Sequence, residues 1–310
     1  MAGMHQHSNV TEELPEKPTL KSVVKLPFSV LCISDSRGRG LEKFFNDKNI
    51  AKLFPDVTLS CQFGVFPGDS LELIATRLTQ LTNNTDFDLI IINAGICSFT
   101  SKASYNGLNC IDYADRLNKT NLVTATLQDL DQRLGKKLNL CTIAPAGLVK
   151  SFKFRNPNLD YPVELDTQQS NLLEDLGLVN QAIIERNIRY NSSTIDLAKQ
   201  VTTSSLKRKR GGSRVTKFTD KNLVDGVHPN DVLKKTWFQL ITTFIQRNIE
   251  QHLQEHLVAN YDEESSSDLN TTLESMNTTL ESIDVESAFN LPSTDDSEPD
   301  TSNFKRVRKN

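Results

Sequence analysis

The sequence Pro27-Phe-Ser-Val-Leu-Cys-Ile-Ser-Asp-Ser-Arg-Gly-Arg-Gly40 contains an apolar run that stops at an acid, a hydroxyl and two glycines. Phe28 to Ile33 are residues that suit a buried strand, and turn-forming residues follow them. Apolar residues near helical spacing come next, from Leu41 to Phe54. The stretch therefore predicts a strand, a turn and a helix, with Ser36 in the turn.

Ser36 is expected at the carboxyl end of the first strand, which is where open α/β sheets place their ligands. Its hydroxyl would lie near free N–H groups of a helix start, and these favour a developing negative charge. The same Asp-Ser-x-Gly pattern is also ordinary helix-capping and turn chemistry. This stretch alone leaves both interpretations of Ser36 open.

The apolar segments that follow have the lengths and spacing of alternating strands and helices. Strands are predicted at 56–63, 87–93, 137–145 and 193–197, and helices at 70–81, 113–134, 169–190 and 232–249. Residues 146–168 are predicted to be a long connection. Because strands that alternate with helices form parallel sheets with right-handed crossovers, we expect a three-layer α/β/α fold with a five-stranded parallel sheet.

Composition divides the chain into a flexible leader (1–24), an α/β domain (25–255) and a tail (256–310). Residues 262–300 contain twelve Asp and Glu and no Lys or Arg, and four basic residues follow them. The net charge of −4 therefore hides a charge of +4 on residues 1–261. We expect a disordered acidic tail with a basic end, and the basic body is a weak indication of a polyanionic partner.

Several classes of protein are disfavoured by the composition. No apolar run approaches the roughly 18 residues that cross a bilayer, and the leader has no hydrophobic signal core. The five cysteines are odd in number and lack metal-type spacing, which favours reduced thiols. We expect an intracellular, cytoplasmic protein without membrane contact. Basic clusters at 207–210 and 305–309 resemble nuclear-import signals, so a nuclear location stays open.

A histidine and an acid near the end of the predicted domain extend the serine pattern. His228 follows Asp225 by three residues, just before the last predicted helix. Nucleophilic catalysis by serine needs a general base and a carboxylate that orients this base. Ser36, Asp225 and His228 together favour that chemistry, while a simple helix-capping role for His228 stays open.

Two sequence blocks resemble those of the SGNH, or GDSL-type, hydrolase family. The family's first block, Gly-Asp-Ser-x-x-x-Gly, is matched by Ser34-Asp-Ser-Arg-Gly-Arg-Gly40, with serine in place of the leading glycine. The last block, Asp-x-x-His, is matched by Asp225-Gly-Val-His228. The resemblance covers roughly residues 27–250. Domains of this family also resemble esterase modules that mobile elements and large viruses carry.

This resemblance implies a role for each matched residue. Ser36 would attack an ester carbonyl, His228 would take its proton, and Asp225 would hold the imidazole in the useful tautomer. The family's middle glycine block maps onto Gly68. Backbone N–H groups of Ser36 and Gly68 would then bind the oxyanion.

The family's third block, Gly-x-Asn-Asp, reads Gly95-Ile-Cys-Ser98 in this sequence. Cys97 therefore stands where the family has an asparagine that donates to the oxyanion. Asn93, two residues before the glycine, is an alternative donor. This departure predicts a weak enzyme.

Two functions from different classes remain open at this stage. The first is a serine esterase that hydrolyses a small acyl ester without a metal or an organic cofactor. The second is an SGNH-like module that binds RNA or another polyanion, similar to the domain of the Oskar germ-plasm protein. The residues predicted to contact a polyanion are Arg37, Arg39, Lys207, Arg208, Lys209, Arg210 and Arg214.

Overall fold

The computed structural model describes residues 26–41, 43, 57–83, 85–105, 107–113, 115–205 and 215–261. Four predicted segments fall wholly or mostly outside this part of the chain: the leader, the first helix, the basic loop and the tail from residue 262.

The described residues form eight strands and six helices. The strands are β1 (Leu26–Ser34), β2 (Val57–Val65), β3 (Leu89–Asn93), β4 (Ser101–Tyr105), β5 (Leu108–Asp112), β6 (Leu138–Leu140), β7 (Thr202–Ser205) and β8 (Val215–Phe218). The helices are α1 (Leu71–Thr82), α2 (Ile96–Phe99), α3 (Arg116–Leu134), α4 (Leu148–Arg155), α5 (Glu164–Arg189) and α6 (Asp231–Tyr261). Short 3-10 turns lie at Ser36–Gly38, Gly135–Lys137 and Ala198–Val201.

The central sheet is parallel and has the strand order β2-β1-β3-β6. Two antiparallel hairpins, β4–β5 and β7–β8, lie outside it. Parallel strands need long crossovers, and α1 lies in the connection between β2 and β3 and α3 in the connection between β3 and β6. The predicted class, an α/β fold built on a parallel sheet, is confirmed.

The sheet of the described chain has four strands where five were expected. The segment predicted as the fifth strand, 193–197, does lie beside β6, because the Thr142 N–H donates to the Ile195 carbonyl at 3.1 Å. A side chain makes a neighbouring contact, since Asn139 Nδ2 donates to the Ser193 carbonyl at 3.0 Å. The segment therefore borders the sheet through mixed contacts and is not a regular strand.

Alternation along β1 explains the two cores of the protein. Phe28, Val30 and Cys32 pack on one face of the sheet against α6, whose Trp237 is fully buried. The intervening residues Leu31 and Ile33 pack on the other face, with α1, α3, α4 and α5. Because successive strand side chains point to opposite faces, one continuous apolar run supplies both layers.

Several elements differ from the sequence-based expectation, and three of the differences bear on the fold around the site. The hairpin β4–β5 was not predicted, and α4 lies inside the segment expected to be a connection. Helix α3 begins at Arg116 and not at Tyr113, because Asp115 adopts a left-handed conformation with φ of 55°. Tyr113 instead packs inward, and its hydroxyl donates to Asp175.

Candidate active site

Ser36 opens the 3-10 turn that follows β1. The Asp35 carboxylate accepts the Arg37 N–H at 2.9 Å, and the Asp35 carbonyl accepts the Gly38 N–H at 3.0 Å. These bonds fix the turn directly beyond the carboxyl end of the central strand. Ser36 is partly exposed, and its hydroxyl has no hydrogen-bond partner in the described part of the chain. The turn therefore presents a serine that is open to a ligand.

Asp225 and His228 form a close pair in the loop before α6. Asp225 Oδ2 lies 2.8 Å from His228 Nδ1, and Asp225 Oδ1 accepts the backbone N–H groups of Val227 and His228 at 3.0 and 2.8 Å. Desolvation alone would raise the pKa of Asp225, but these hydrogen bonds outweigh it and hold the pKa well below its usual range. An ionised carboxylate only accepts, so the Nδ1 proton points to Asp225 and Nε2 is free to take a proton.

The charges of this pair act on the two residues that flank Ser36. Burial raises the pKa of Asp35, and the charges of Arg37 and, more weakly, His228 oppose that shift. Burial lowers the pKa of Arg37, and the charges of Asp35 and, more weakly, Asp225 oppose that shift. The Asp–His pair thus interacts electrostatically with both neighbours of Ser36. No hydrogen bond joins Ser36 to His228 within the described residues. In enzymes, the hydrogen bond between a nucleophile and its base is often long before substrate binds and tightens only in the complex.

Gly226, in the loop between Asp225 and His228, packs tightly against the start of α4. Its carbonyl accepts the Gly147 N–H at 2.7 Å. A Cβ atom added to Gly226 would lie 2.4 Å from the Gly147 carbonyl oxygen and 2.7 Å from Ser151 N. The loop that carries the Asp–His pair is therefore held against α4 by a contact that only glycine permits.

We expect Gly226→Ala to lower the free energy of unfolding by about 3 kcal/mol or more, because the left-handed conformation and the backbone clash both act against it. Gly107→Ala is a matched control, since Gly107 has nearly the same φ, 81° against 82°, but no atom lies within 4 Å of its added Cβ. The control should lose only about 1–2 kcal/mol. Chemical denaturation of both variants measures the difference, and equal losses would contradict the packing described here.

Gly68 and Cys97 lie together near the serine turn. Burial, followed by the charge of Asp35, raises the pKa of Cys97 to about 11, although Arg37 and the Gly68 N–H act in the opposite direction. The Gly68 N–H therefore lies near the Cys97 thiol, in agreement with the hydrogen bond from the Leu71 N–H to Ser98 Oγ at 2.8 Å. At neutral pH the thiol is uncharged and able to donate a weak hydrogen bond. These two groups form the candidate oxyanion site.

Asn93, the alternative oxyanion donor, lies on the other face of the sheet. Along β3, Leu89 and Ile91 pack with α6, and Asn93 continues this alternation. Cys97 packs against the opposite core, with α1 and α3. Asn93 is 8% exposed, and its Nδ2 atom has no partner within the described residues. The structure therefore brings Cys97, and not Asn93, next to Gly68.

Ser98 and Glu72 connect the two halves of this oxyanion site. Ser98 Oγ accepts the Leu71 N–H at 2.8 Å and donates to Glu72 Oε2 at 3.2 Å. Leu71 and Glu72 begin α1, directly after the Gly68 turn, whereas Ser98 follows Cys97 in α2. This link could not be predicted from the sequence, because a serine and a glutamate 26 residues apart carry no local signal of contact.

The predicted polyanion contacts have different positions. Arg37 is 3% exposed, and its guanidinium donates to the Ala144 carbonyl. Because a buried guanidinium cannot contact a polyanion at the surface, the prediction for Arg37 is corrected. Desolvation lowers the pKa of Arg37, and Asp35 opposes that shift. Arg39 is exposed, as a surface contact requires. The basic loop 207–214 lies outside the described residues, and RNA binding stays a prediction.

The described ranges contain neither a metal-binding cluster nor a membrane-spanning helix. No group of three or more His, Cys, Asp or Glu side chains there is arranged to hold a metal ion. None of the helices in the same ranges has the length and apolar character needed to cross a membrane.

The structure is that of an α/β protein with a serine turn at the end of its central strand and an Asp–His pair in the loop before its last helix. Solved structures similar to this chain include GDSL-type lipases, acylhydrolases and esterases, as the sequence resemblance predicts. A lipase/acylhydrolase from Enterococcus faecalis has a TM-score of 0.42 and 19% identity over 70% of this chain and 94% of its own. At such identity the likeness concerns the fold alone.

Two other solved structures give similar values. A GDSL-like lipase from Bacteroides thetaiotaomicron has a TM-score of 0.41 and 14% identity over 72% of this chain and 88% of its own. The acetyl xylan esterase AlAXEase has a TM-score of 0.41 and 18% identity over 70% of this chain and 98% of its own. No protein-family model matches the sequence, and no curated protein matches it.

Proposed function

We propose that this protein is a serine esterase of the SGNH type that hydrolyses small acyl esters. The observation that carries the proposal is the Asp225–His228 pair, 2.8 Å apart between Oδ2 and Nδ1, in a chain that also presents a partly exposed Ser36 at the end of β1. A histidine that only caps a helix would need no carboxylate to fix its tautomer. Ser36 is the nucleophile, His228 the general base and Asp225 the residue that orients the base.

In the first half of the reaction, Ser36 Oγ attacks the ester carbonyl carbon while His228 Nε2 takes the hydroxyl proton. The carbonyl π electrons move to oxygen, and the Gly68 N–H and the Cys97 thiol donate to this oxyanion. The oxyanion then collapses, the bond to the alcohol oxygen breaks, and His228 returns its proton to that oxygen. The products are an alcohol and an acyl group on Ser36.

In the second half, water attacks the acyl carbonyl while His228 Nε2 takes a water proton. The second oxyanion collapses, the bond to Ser36 Oγ breaks, and the serine regains its proton from His228. Asp225 stays ionised throughout, because its lowered pKa keeps the carboxylate available to stabilise the imidazolium.

An alkyl fluorophosphonate tests the nucleophile directly, since it reacts with an activated serine and leaves a stable adduct. We expect one adduct per chain, located on the peptide that contains Ser36 by mass spectrometry. Hydrolysis of 4-nitrophenyl acetate should fall in proportion to labelling. An unlabelled Ser36 together with undiminished hydrolysis would refute the proposed function.

A further inference from the structure

The direction of the Gly68 N–H depends on a tight turn between β2 and α1. The Asp69 N–H donates to the Phe66 carbonyl at 3.2 Å, with Pro67 and Gly68 between them. Gly68 has φ of 84°, and proline followed by such a glycine is typical of a type II turn. The Phe66 N–H donates to the Ser34 carbonyl at 2.8 Å, so the turn is anchored to the end of β1.

One arginine contacts both ends of this turn. Arg77 Nε, on α1, forms an ion pair with Asp69 Oδ2. The guanidinium carbon of Arg77 lies 4.8 Å from the centre of the Phe66 ring. At this distance a cation is attracted to an aromatic face. The Asp69 side chain is 14% exposed and that of Arg77 is 47% exposed, so solvent screens the pair mainly on the arginine side.

Apart from the neighbouring Cys97 thiol, few groups of the described chain hold Gly68 in place. No atom of the described chain lies within 4 Å of the position that a Cβ on Gly68 would occupy. Its peptide plane is therefore constrained mainly through its neighbours in the turn, Phe66 and Asp69. An interaction that joins these two residues limits rotation of the peptide that donates to the oxyanion.

We propose that Arg77 is a positioning residue that holds the Gly68 N–H in the direction required by the oxyanion. The inference rests on the proposed function for its catalytic consequence, but the geometric constraint exists without substrate. Arg77 reaches the reacting atoms only through Asp69 and Phe66. Its loss acts on transition-state binding and not on ground-state binding, because the oxyanion forms only as the reaction proceeds.

The test compares Arg77→Gln with Arg133→Gln. Arg133 is a matched control because its guanidinium also contacts α1, at Thr79, and pairs with Asp129, away from the turn. We expect Arg77→Gln to lower kcat by about 10- to 100-fold with KM nearly unchanged. Arg77→Lys keeps the ion pair and should recover part of the loss, and Arg133→Gln should keep wild-type kcat. A fall in thermal midpoint with unchanged kcat would overturn the proposal.

Amide hydrogen exchange separates this proposal from the proposed function, since it needs no substrate. The Asp69 amide, which closes the turn, should exchange several-fold faster in Arg77→Gln and at the wild-type rate in Arg133→Gln. Faster exchange would support the positioning role even if the wild type hydrolysed no ester. Unchanged exchange at this amide would overturn it, whatever Ser36-dependent activity the protein has.

Discussion

Ser36→Ala should reduce turnover of an activated ester by about 10⁴-fold or more, because the variant has no hydroxyl to form the acyl intermediate. His228→Ala should cause a comparable loss, since the free hydroxyl is a weak nucleophile without a base. The double variant should be no slower than either single one, because the two residues act as one unit. Initial rates with 4-nitrophenyl acetate measure all three.

Matched controls separate loss of chemistry from loss of structure. Ser29→Ala removes a serine near the amino end of the same strand, where its hydroxyl donates to Asp88 Oδ2 at 2.7 Å. His252→Ala removes a histidine of α6 whose ring packs on Phe28, 5.1 Å between ring centres. Both controls should retain near wild-type turnover. Near wild-type rates in Ser36→Ala or His228→Ala would contradict the assigned roles.

Much of the sheet could be predicted because it depends on local pattern. Apolar runs such as 89–92 are strand-like whatever surrounds them, and their burial on both faces matches a parallel sheet. The hairpin β4–β5 could not be predicted in the same way, since Ser101–Tyr105 is a mainly polar stretch. Its strands pair with each other outside the central sheet, and neither needs a continuous apolar face.

Contacts of the candidate site that depend on short motifs could be predicted from the sequence, whereas those between distant segments could not. Asp225 and His228 are three residues apart, so one tight loop brings them together. Which of Asn93 and Cys97 lies near Gly68 depends on the face of the sheet to which each belongs. The sequence does not define this face at the end of β3. The sequence predicts a surface position for Arg37, because no local pattern indicates its hydrogen bond to the Ala144 carbonyl in the interior.

Arg77 illustrates the same distinction on a helix. It lies eight residues after Asp69, and no i,i+4 rule predicts an ion pair over that distance. The contact arises because the turn before α1 folds back along the helix, so the side chain reaches Asp69 and Phe66 together. Contacts of this kind depend on the tertiary structure, so short sequence motifs do not predict them.

Cys97→Asn should raise kcat on an activated ester, by as much as about 100-fold. A side-chain amide is a strong, oriented donor, whereas a thiol is a weak one, and a missing oxyanion donor typically costs about 10²–10³ in rate. KM should stay nearly unchanged, because the new hydrogen bond strengthens only as charge develops on the carbonyl oxygen. Steady-state kinetics of the variant beside the wild type measure both quantities.

Two further variants decide whether the gain comes from a hydrogen bond at this position. Cys97→Asp has nearly the size of asparagine but places a carboxylate beside the oxyanion, so it should be slower than the wild type. Asn93→Ala should change kcat little, because Asn93 lies on the face of the sheet that packs against α6. A large loss in Asn93→Ala, with no effect of either change at Cys97, would place the oxyanion donor at Asn93 and refute the assignment made here.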